Sequence, residues 1–248
     1  EKRKEKAINI AKQNGFEIVE ADVNTSSFVW EIDPNNDKRL VQPLAGLKGL
    51  GDAAIEQIVA NRPFNDIEEF LFNDNIVYSK LNKKALDVLV RSGAMNNLMD
   101  DRFSGRKHFW SAVAVDRVYS KKKFLENIEE YRDEGDFSVE EEIDNKTTLT
   151  GIFPMHLVMT DEVRTKLENY YVPPISDYDP ELGLVWFIPR EIIRKKTKNG
   201  KPYWIVAVID SNSVLTKFRC WGIVEGKDRI HLNRPYMGKL DYDPAWGF

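Results

Sequence analysis

A single cysteine, Cys220, stands in the 248 residues, so no disulfide can close within the chain, and the usage fits a reducing, cytoplasmic setting. Histidine is nearly as scarce. His108, His156 and His231 lie far apart, with no spacing that would gather them around a metal. No apolar run approaches the length of a membrane span. The opening EKRKEKAINIAKQNGF is charged where a signal peptide carries an apolar core, and it reads as the interior of a helix, the pattern of a chain cut from a longer protein. No membrane partner is expected. Also missing are a phosphate loop, a Ser/His/Asp grouping and a Cys/His cluster. Asp241 and Asp243 would share one face of a strand, but no third carboxylate joins them, so two-metal chemistry lacks its ligands. The expectation is a chain without catalytic residues, metal or cofactor of its own.

A global excess of positive charge is absent too. Lys and Arg number 36 against 40 Asp and Glu, a net −4, which excludes the uniformly basic profile of a small DNA-binding domain. The sum conceals an asymmetry. Residues 126–183 hold 16 acids against 4 bases, whereas residues 184–239 hold 12 bases against 4 acids. An acidic middle beside a basic end implies two units with different partners. The length suits one large domain or two ordinary ones, and 42% hydrophobic residues suffice for sizeable cores.

Against these absences, one stretch is rich in information: Leu44–Ile55, LAGLKGLGDAAI. It reads as an apolar segment, a tight turn at Gly49, Leu50 and Gly51, and the start of a helix. Two glycines around one buried residue let the backbone turn sharply and approach a ligand closely. The N–H groups opening the next helix, with its dipole, suit a phosphate. This is the pattern of a helix-hairpin-helix element, which grips nucleic-acid backbone without reading bases. Lys48, Gly49, Leu50 and Gly51 are the candidate duplex contacts, with Asp52 expected to cap the helix through its side chain. An ordinary helical connection is the plainer alternative. A second, degenerate hairpin is read at Ser92-Gly93-Ala94. Gly93, flanked by Arg91, Arg102 and Arg106, is either a further backbone contact or a structural partner of the first hairpin, and the structural role is slightly preferred.

The rest of the chain is organised around these turns. Residues 1–14 read as a helix, 16–19 and 28–32 as short strands, and 34–37 as a turn. Residues 43–115 are helical, with Asn82 capping a helix that buries Leu86, Leu89 and Val90. Residues 121–131 form another helix, 133–144 an acidic solvated link, 161–170 a short helix and 173–183 a linker. From residue 184 the character changes to three strands, the first two joined by an Asn199-Gly200 turn. Short strands in a basic, aromatic-rich segment imply a small β-barrel, with an OB-fold the leading candidate. The expected class is therefore α+β: an all-helical tandem helix-hairpin-helix domain followed by a C-terminal OB-fold β-barrel.

In the third strand, alternation puts Phe218 and Cys220 on one face and Lys217, Arg219 and Trp221 on the other. Bases stacking on a ring while Lys and Arg follow the phosphates is what single-stranded nucleic acid needs. Tyr203 or Trp204 would extend the platform, and Lys195, Lys196, Lys198 and Lys201 crowd the first hairpin. The single-strand candidates are therefore Lys195, Lys196, Lys198, Lys201, Trp204, Lys217, Arg219 and Trp221. The competing reading makes the aromatics core and the lysines solvent-side.

Several segments carry a resemblance. GLKGLGDAAIEQIVANRPFNDIEEF and LNKKALDVLVRSGAMNNL are similar to the tandem helix-hairpin-helix region of C-family replicative DNA polymerases, the bacterial DNA polymerase III alpha subunits. AKQNGFEIVEADVNTSSF resembles the segment leaving their fingers domain. TTLTGIFPMHLV, with His156, resembles the motif before their OB-fold, and KKTKNGKPYWIVAVID its first hairpin. The resemblance implies a fingers-derived segment at 1–42, a tandem hairpin DNA-binding domain at 43–120, an acidic connecting region at 121–183 and an OB-fold at 184–248. It implies duplex and single-stranded DNA as partners, with the catalytic aspartates and their magnesium in a palm domain absent from this chain. It also implies the sliding clamp as a partner, although no Gln-aliphatic-aromatic peptide stands between Arg102 and Glu142. A nuclease or ligase piece and a replisome scaffold are the alternatives.

Overall fold

The computed structural model describes residues 2–116, 118–224, 227, 229–245 and 247–248. The parts of the expected 1–14 helix, hairpin domain and barrel that fall on Glu1, Arg117, Glu225, Gly226, Asp228 and Trp246 lie outside the described residues. The elements run α1 (Lys2–Gln13), β1 (Glu17–Val19), β2 (Glu31–Asp33), β3 (Asn36–Val41), α2 (Asp52–Asn61), α3 (Ile67–Leu71), α4 (Lys83–Ser92) and α5 (Arg106–Trp110). They continue α6 (Lys121–Glu130), α7 (Val139–Asn145), α8 (Met155–Val158), α9 (Asp161–Asn169), β4 (Leu184–Lys196), β5 (Pro202–Ile209), β6 (Leu215–Trp221) and β7 (Tyr236–Lys239). The architecture is α+β: a helical region followed by a curled antiparallel half-barrel. The chain divides into two compact units, residues 16–153 and residues 2–15 with 154–248.

The first unit is built on helices whose buried stripes meet in one core. Ile55 and Ile58 of α2, Ile67 and Phe70 of α3, Leu89 of α4, and Phe109 and Phe124 are all fully enclosed. The helix starts follow the chemistry of their caps. The side chains of Asp66, Asn82 and Ser120 accept from the N–H groups of Glu69, Ala85 and Lys123. The second half of the expected acidic link at 133–144 is instead α7, nucleated by a capping box in which Ser138 and Glu141 bond each other's backbone. Its Ile143 is buried, as are Phe124 and Ile128 of α6, so residues 121–153 pack into the helical unit rather than connecting two domains. Apolar residues at helical spacing outweighed the acids, which occupy the solvent face.

Beside the helices lies a small sheet in the order β1-β3-β2, with β1 and β3 parallel and β2 and β3 antiparallel. Its central strand, β3, was not expected. Asn36 and Asp37 continue out of the Pro34-Asn35 turn into the strand, and charged Lys38 and Arg39 hide the period-two signal.

The second unit is a four-stranded antiparallel sheet in the order β6-β5-β4-β7. β4 is long enough to pair with β5 over Ile188–Lys196 and with β7 over Leu184–Phe187, bending at a bulge between Pro189 and Glu191. That bend curls the sheet around Ile175, Val185, Phe187, Trp204, Val206, Val208 and Phe218. The expected small β-barrel is thus present as a curled half-barrel. Among the described residues four strands are present, against the five of an OB-fold. β7 escaped the sequence reading because only four residues pair. Asp210 is fully buried and shapes the β5–β6 turn, its carboxylate accepting from the N–H groups of Ser176 (2.8 Å), Asn212 (3.0 Å) and Val214 (3.2 Å). α1 belongs to this unit. Gln13 donates from Nε2 to Ser213 O at 2.8 Å, and Glu5 lies 3.9 Å from Arg190.

Candidate nucleic-acid interface

The first hairpin is a short path between two well-packed ends. Leu44 and Leu47 are buried on one side, Ala54 and Ile55 on the other, and Leu50 is sunk into the same core between the two glycines. The element preceding the turn is a single 3-10 turn, Leu44–Gly46, rather than a full helix. Gly49 has φ +94°, a left-handed conformation that favours glycine, and a Cβ there would stand 3.4 Å from Val88 Cγ2. Gly51 has φ −87° and is the N-cap of α2, with open space where a Cβ would sit.

No side chain caps α2. Asp52, expected to do so, is the first helical residue, one position too late for its carboxylate to act as the cap. The N–H groups of Ala54 and Ile55 bond Gly51 O at 3.0 and 3.2 Å. Among the described residues, those of Gly49, Gly51, Asp52 and Ala53 meet no protein acceptor. Of residues 49–53, all but Leu50 are exposed. Lys48 is exposed beside the turn, its own N–H donated to Leu149 O at 2.9 Å. A second cation was missed in the sequence. Lys84 of α4 is exposed, and its Cε would lie 3.7 Å from a Cβ at Gly49. Its signal was its place one turn before Val88, the residue that packs under Gly49.

The second hairpin has a different interior. Gly93 is the C-cap of α4 at φ +91° and is buried. Its N–H is bonded to Val90 O at 3.1 Å. A Cβ there would stand 2.7 Å from Lys146 Nζ and 3.6 Å from an Arg106 nitrogen. Lys146 donates to Ser92 O at 3.0 Å and pairs with Glu20, and Arg106 donates to Val90 O at 3.1 Å and Arg91 O at 3.2 Å. The chain's own cations therefore fill the end of this hairpin. The flanking arginines are engaged as well: Arg106 with Glu142, Arg91 with Asp87, and Arg102 with Asp100 and Glu68 at 2.8 Å each. Hydrogen bonds from Arg102 hold the Asp100 and Glu68 carboxyls below their usual range.

In the half-barrel, alternation assigns the faces. Phe218 lies in the core 4.9 Å from Phe187, while Lys217 and Trp221 are exposed and Arg219 is half-buried. Trp204, expected among the single-strand contacts, lies inside instead. It is only 5% exposed and lines the core with Val206 and Val208, which share its face of β5. Tyr203, one residue earlier, occupies the outer face. Its ring stacks on that of Trp221 with centroids 4.6 Å apart and planes 20° from parallel. Trp221 remains 60% exposed. Register places Lys195 beside Tyr203, Ile205 beside Arg219 and Ala207 beside Lys217. Lys195, Lys196, Lys198 and Lys201 are exposed around the Thr197–Lys201 turn at the same end as the ring pair. A cleft of about 760 Å³ opens beside the stack, lined by Tyr203, Arg219, Trp221, Lys239, Asp241 and Tyr242. Among the described residues no group of His, Cys, Asp or Glu could hold a metal ion. No helix among them is long and apolar enough to cross a membrane.

Residues 15–104 match the model of the helix-hairpin-helix motif, covering both turns. The chain is 34% identical over 105 residues to the DNA polymerase III subunit alpha of Pseudomonas aeruginosa, a stretch that is 41% of this chain and 9% of that protein. It is 38% identical over 80 residues to the subunit of Pseudomonas fluorescens, which is 31% of this chain and 6% of that one. It is 32% identical over 108 residues to a DNA-directed DNA polymerase of Bacillus phage SPbeta, 44% of this chain and 8% of that protein. The matches thus span less than a tenth of these relatives. The chain carries a helix-hairpin-helix region similar to part of DNA polymerase III alpha subunits and of a phage DNA polymerase.

Proposed function

We propose that this chain is a DNA-binding part of a replicative DNA polymerase, holding substrate for nucleotidyl transfer carried out elsewhere. The observation that carries the reading is the uncapped start of α2. Gly49, Gly51, Asp52 and Ala53 are exposed there and their N–H groups meet no protein acceptor among the described residues, with Lys48 and Lys84 alongside. Such an end binds phosphate through hydrogen bonds and the helix dipole, and reads no base. Duplex backbone is the fitting ligand for the first hairpin. The second hairpin is filled by Lys146 and Arg106 and serves as its structural partner. The outer face of β5 and β6 fits single-stranded DNA, with Trp221 stacking a base and Lys217, Arg219 and the Thr197–Lys201 lysines following the phosphates. Such a role is cytoplasmic.

The test is fluorescence anisotropy of the whole chain with labelled duplex and single-stranded oligonucleotides across a salt series. Binding is expected to be insensitive to sequence, with a log–log slope of roughly −0.9 per duplex phosphate neutralised. Lys84→Glu is expected to weaken duplex binding, reduce that slope by about one unit and leave single-strand binding unchanged. Failure of the chain to bind DNA at low salt refutes the reading and favours a scaffold role.

A further inference from the structure

We propose that Lys146 is a positioning residue for the duplex grip, fastening the two hairpins to one another through a single π-helical turn. The inference rests on the first hairpin being the duplex contact. The turn is Lys146–Thr150, between α7 and the Gly151 bend. A π turn places its carbonyls out of the regular helical register, and such turns recur at functional positions. Here each end of the turn is tied to a different hairpin. At its start, Asn145 Oδ1 accepts from Arg91 Nε at 2.8 Å, and Lys146 Nζ donates to Ser92 O at 3.0 Å. Both bonds hold the last turn of α4, immediately before Gly93. At its finish, Leu149 O accepts the Lys48 N–H at 2.9 Å, and Thr150 O accepts Gln42 Nε2 at 2.7 Å. Those bonds hold the first hairpin at its entry and immediately before Gly49. Thr150 Oγ1 donates back to Lys146 O at 2.6 Å, closing the turn on itself.

Lys146 is the member without a substitute. Its residue is 6% exposed, and its ammonium is held by Glu20 and Ser92 O. A buried ammonium needs such partners, and they fix its place. The space it enters exists because residue 93 has no Cβ, since one would stand 2.7 Å from Nζ. Gly93 thus admits a lysine of the same chain where an open hairpin would admit an outside ligand. The two glycine turns become parts of one device: the second receives Lys146, and three residues later Leu149 O sets the peptide plane of Lys48. That plane leads directly into the exposed N–H row of the first hairpin.

Lys146→Met keeps length and apolar volume while removing the ammonium, and Glu20→Gln weakens its hold without emptying the site. Amide hydrogen exchange at Lys48 and DNA affinity are measured on the whole chain for both. Lys146→Met is expected to speed Lys48 exchange by about tenfold or more, as loss of a charged hydrogen bond lowers the cost of local opening. It is expected to weaken duplex binding by a comparable factor with the single-strand constant and the duplex salt slope unchanged, and Glu20→Gln to shift both readouts less in the same direction. A general loss of structure would speed exchange across the core and alter the slope. Unchanged Lys48 exchange and unchanged duplex affinity in Lys146→Met overturn the proposal. If the unmodified chain fails to bind duplex, the functional reading falls by itself, and the exchange at Lys48 still decides whether Lys146 fastens the hairpins.

Discussion

Replacing each glycine of the first hairpin by alanine separates what the fold requires from what a ligand requires. At Gly49 the backbone sits at φ +94°, and a methyl group would come into contact with Val88 Cγ2 at 3.4 Å. A non-glycine residue held in such a conformation costs about 1–3 kcal/mol. Gly49→Ala is therefore expected to lower stability by about that amount, or to shift the hairpin and lose duplex affinity instead. Gly51 has φ −87° and nothing within 4 Å of a Cβ. Reduced freedom of the unfolded chain favours alanine there by about 0.4–1 kcal/mol. Gly51 is also the N-cap of α2, where glycine is preferred to alanine, and the two effects oppose each other. Gly51→Ala should thus leave stability within about 0.5 kcal/mol of the parent. In the proposed reading, however, its methyl group would occupy open space beside the turn that an approaching phosphate uses. A loss of about 1.4 kcal/mol there is a tenfold weaker dissociation constant. Urea midpoints give the stabilities, and anisotropy with a labelled duplex at fixed low salt gives the affinities. Parent-like duplex affinity in Gly51→Ala would show that no phosphate approaches this turn.

Three further outcomes are expected. Trp221→Ala should weaken single-strand binding by about 1–3 kcal/mol per lost stack and spare duplex binding; equal loss of both would refute the division between hairpin and half-barrel. Trp204→Ala, one strand away, should instead destabilise by about 3–5 kcal/mol, since the residue lies in the core, and a urea midpoint near that of the parent would contradict its placement. Asp100 and Glu68 have lowered carboxyl pKa values through Arg102, so their contribution is complete above the ordinary carboxylate range and is lost as pH falls through their depressed folded values. Thermal unfolding followed from about pH 5 downward should show that loss diminished in Arg102→Met; an unchanged acid limb would remove the cluster from the acid response.

The legible parts of this chain were those where one local signal dominates. The Asn82 cap, the buried Leu86, Leu89 and Val90 of its helix and the alternation of β6 each follow from a few neighbouring residues, and each is present. The outer face of β6 was readable for the same reason, as Lys217, Arg219 and Trp221 share a parity that Phe218 opposes. The misreadings needed information that local pattern lacks. Tyr203 and Trp204 are adjacent aromatics, and alternation alone leaves open which of them points inward. Only the pairing of Tyr203 with Trp221 and of Trp204 with Cys220 decides it. The acids of 133–144 masked α7 because burial there rests on single residues such as Ile143. Four-residue β7 finds its partner in the first four residues of β4, across the whole of β5 and β6, a distance no local period reports.

Gly49 and Gly93 show why a motif match alone does not locate a grip. Both lie at positive φ after a short apolar run, and both fall within the matched helix-hairpin-helix segment. Their surroundings are opposed in sign and access. The first turn opens the start of a helix, where N–H groups face outward and attract anions. The second closes the end of α4, where carbonyls accumulate and attract cations, and Lys146 and Arg106 supply them from within the chain. A phosphate at the second turn would have to displace the ammonium of Lys146 from Ser92 O and would meet carbonyl oxygens in its place. The polarity of the helix end, fixed by whether the glycine precedes or follows its helix, therefore supports the proposal that gives one hairpin to an outside ligand and the other to the fold.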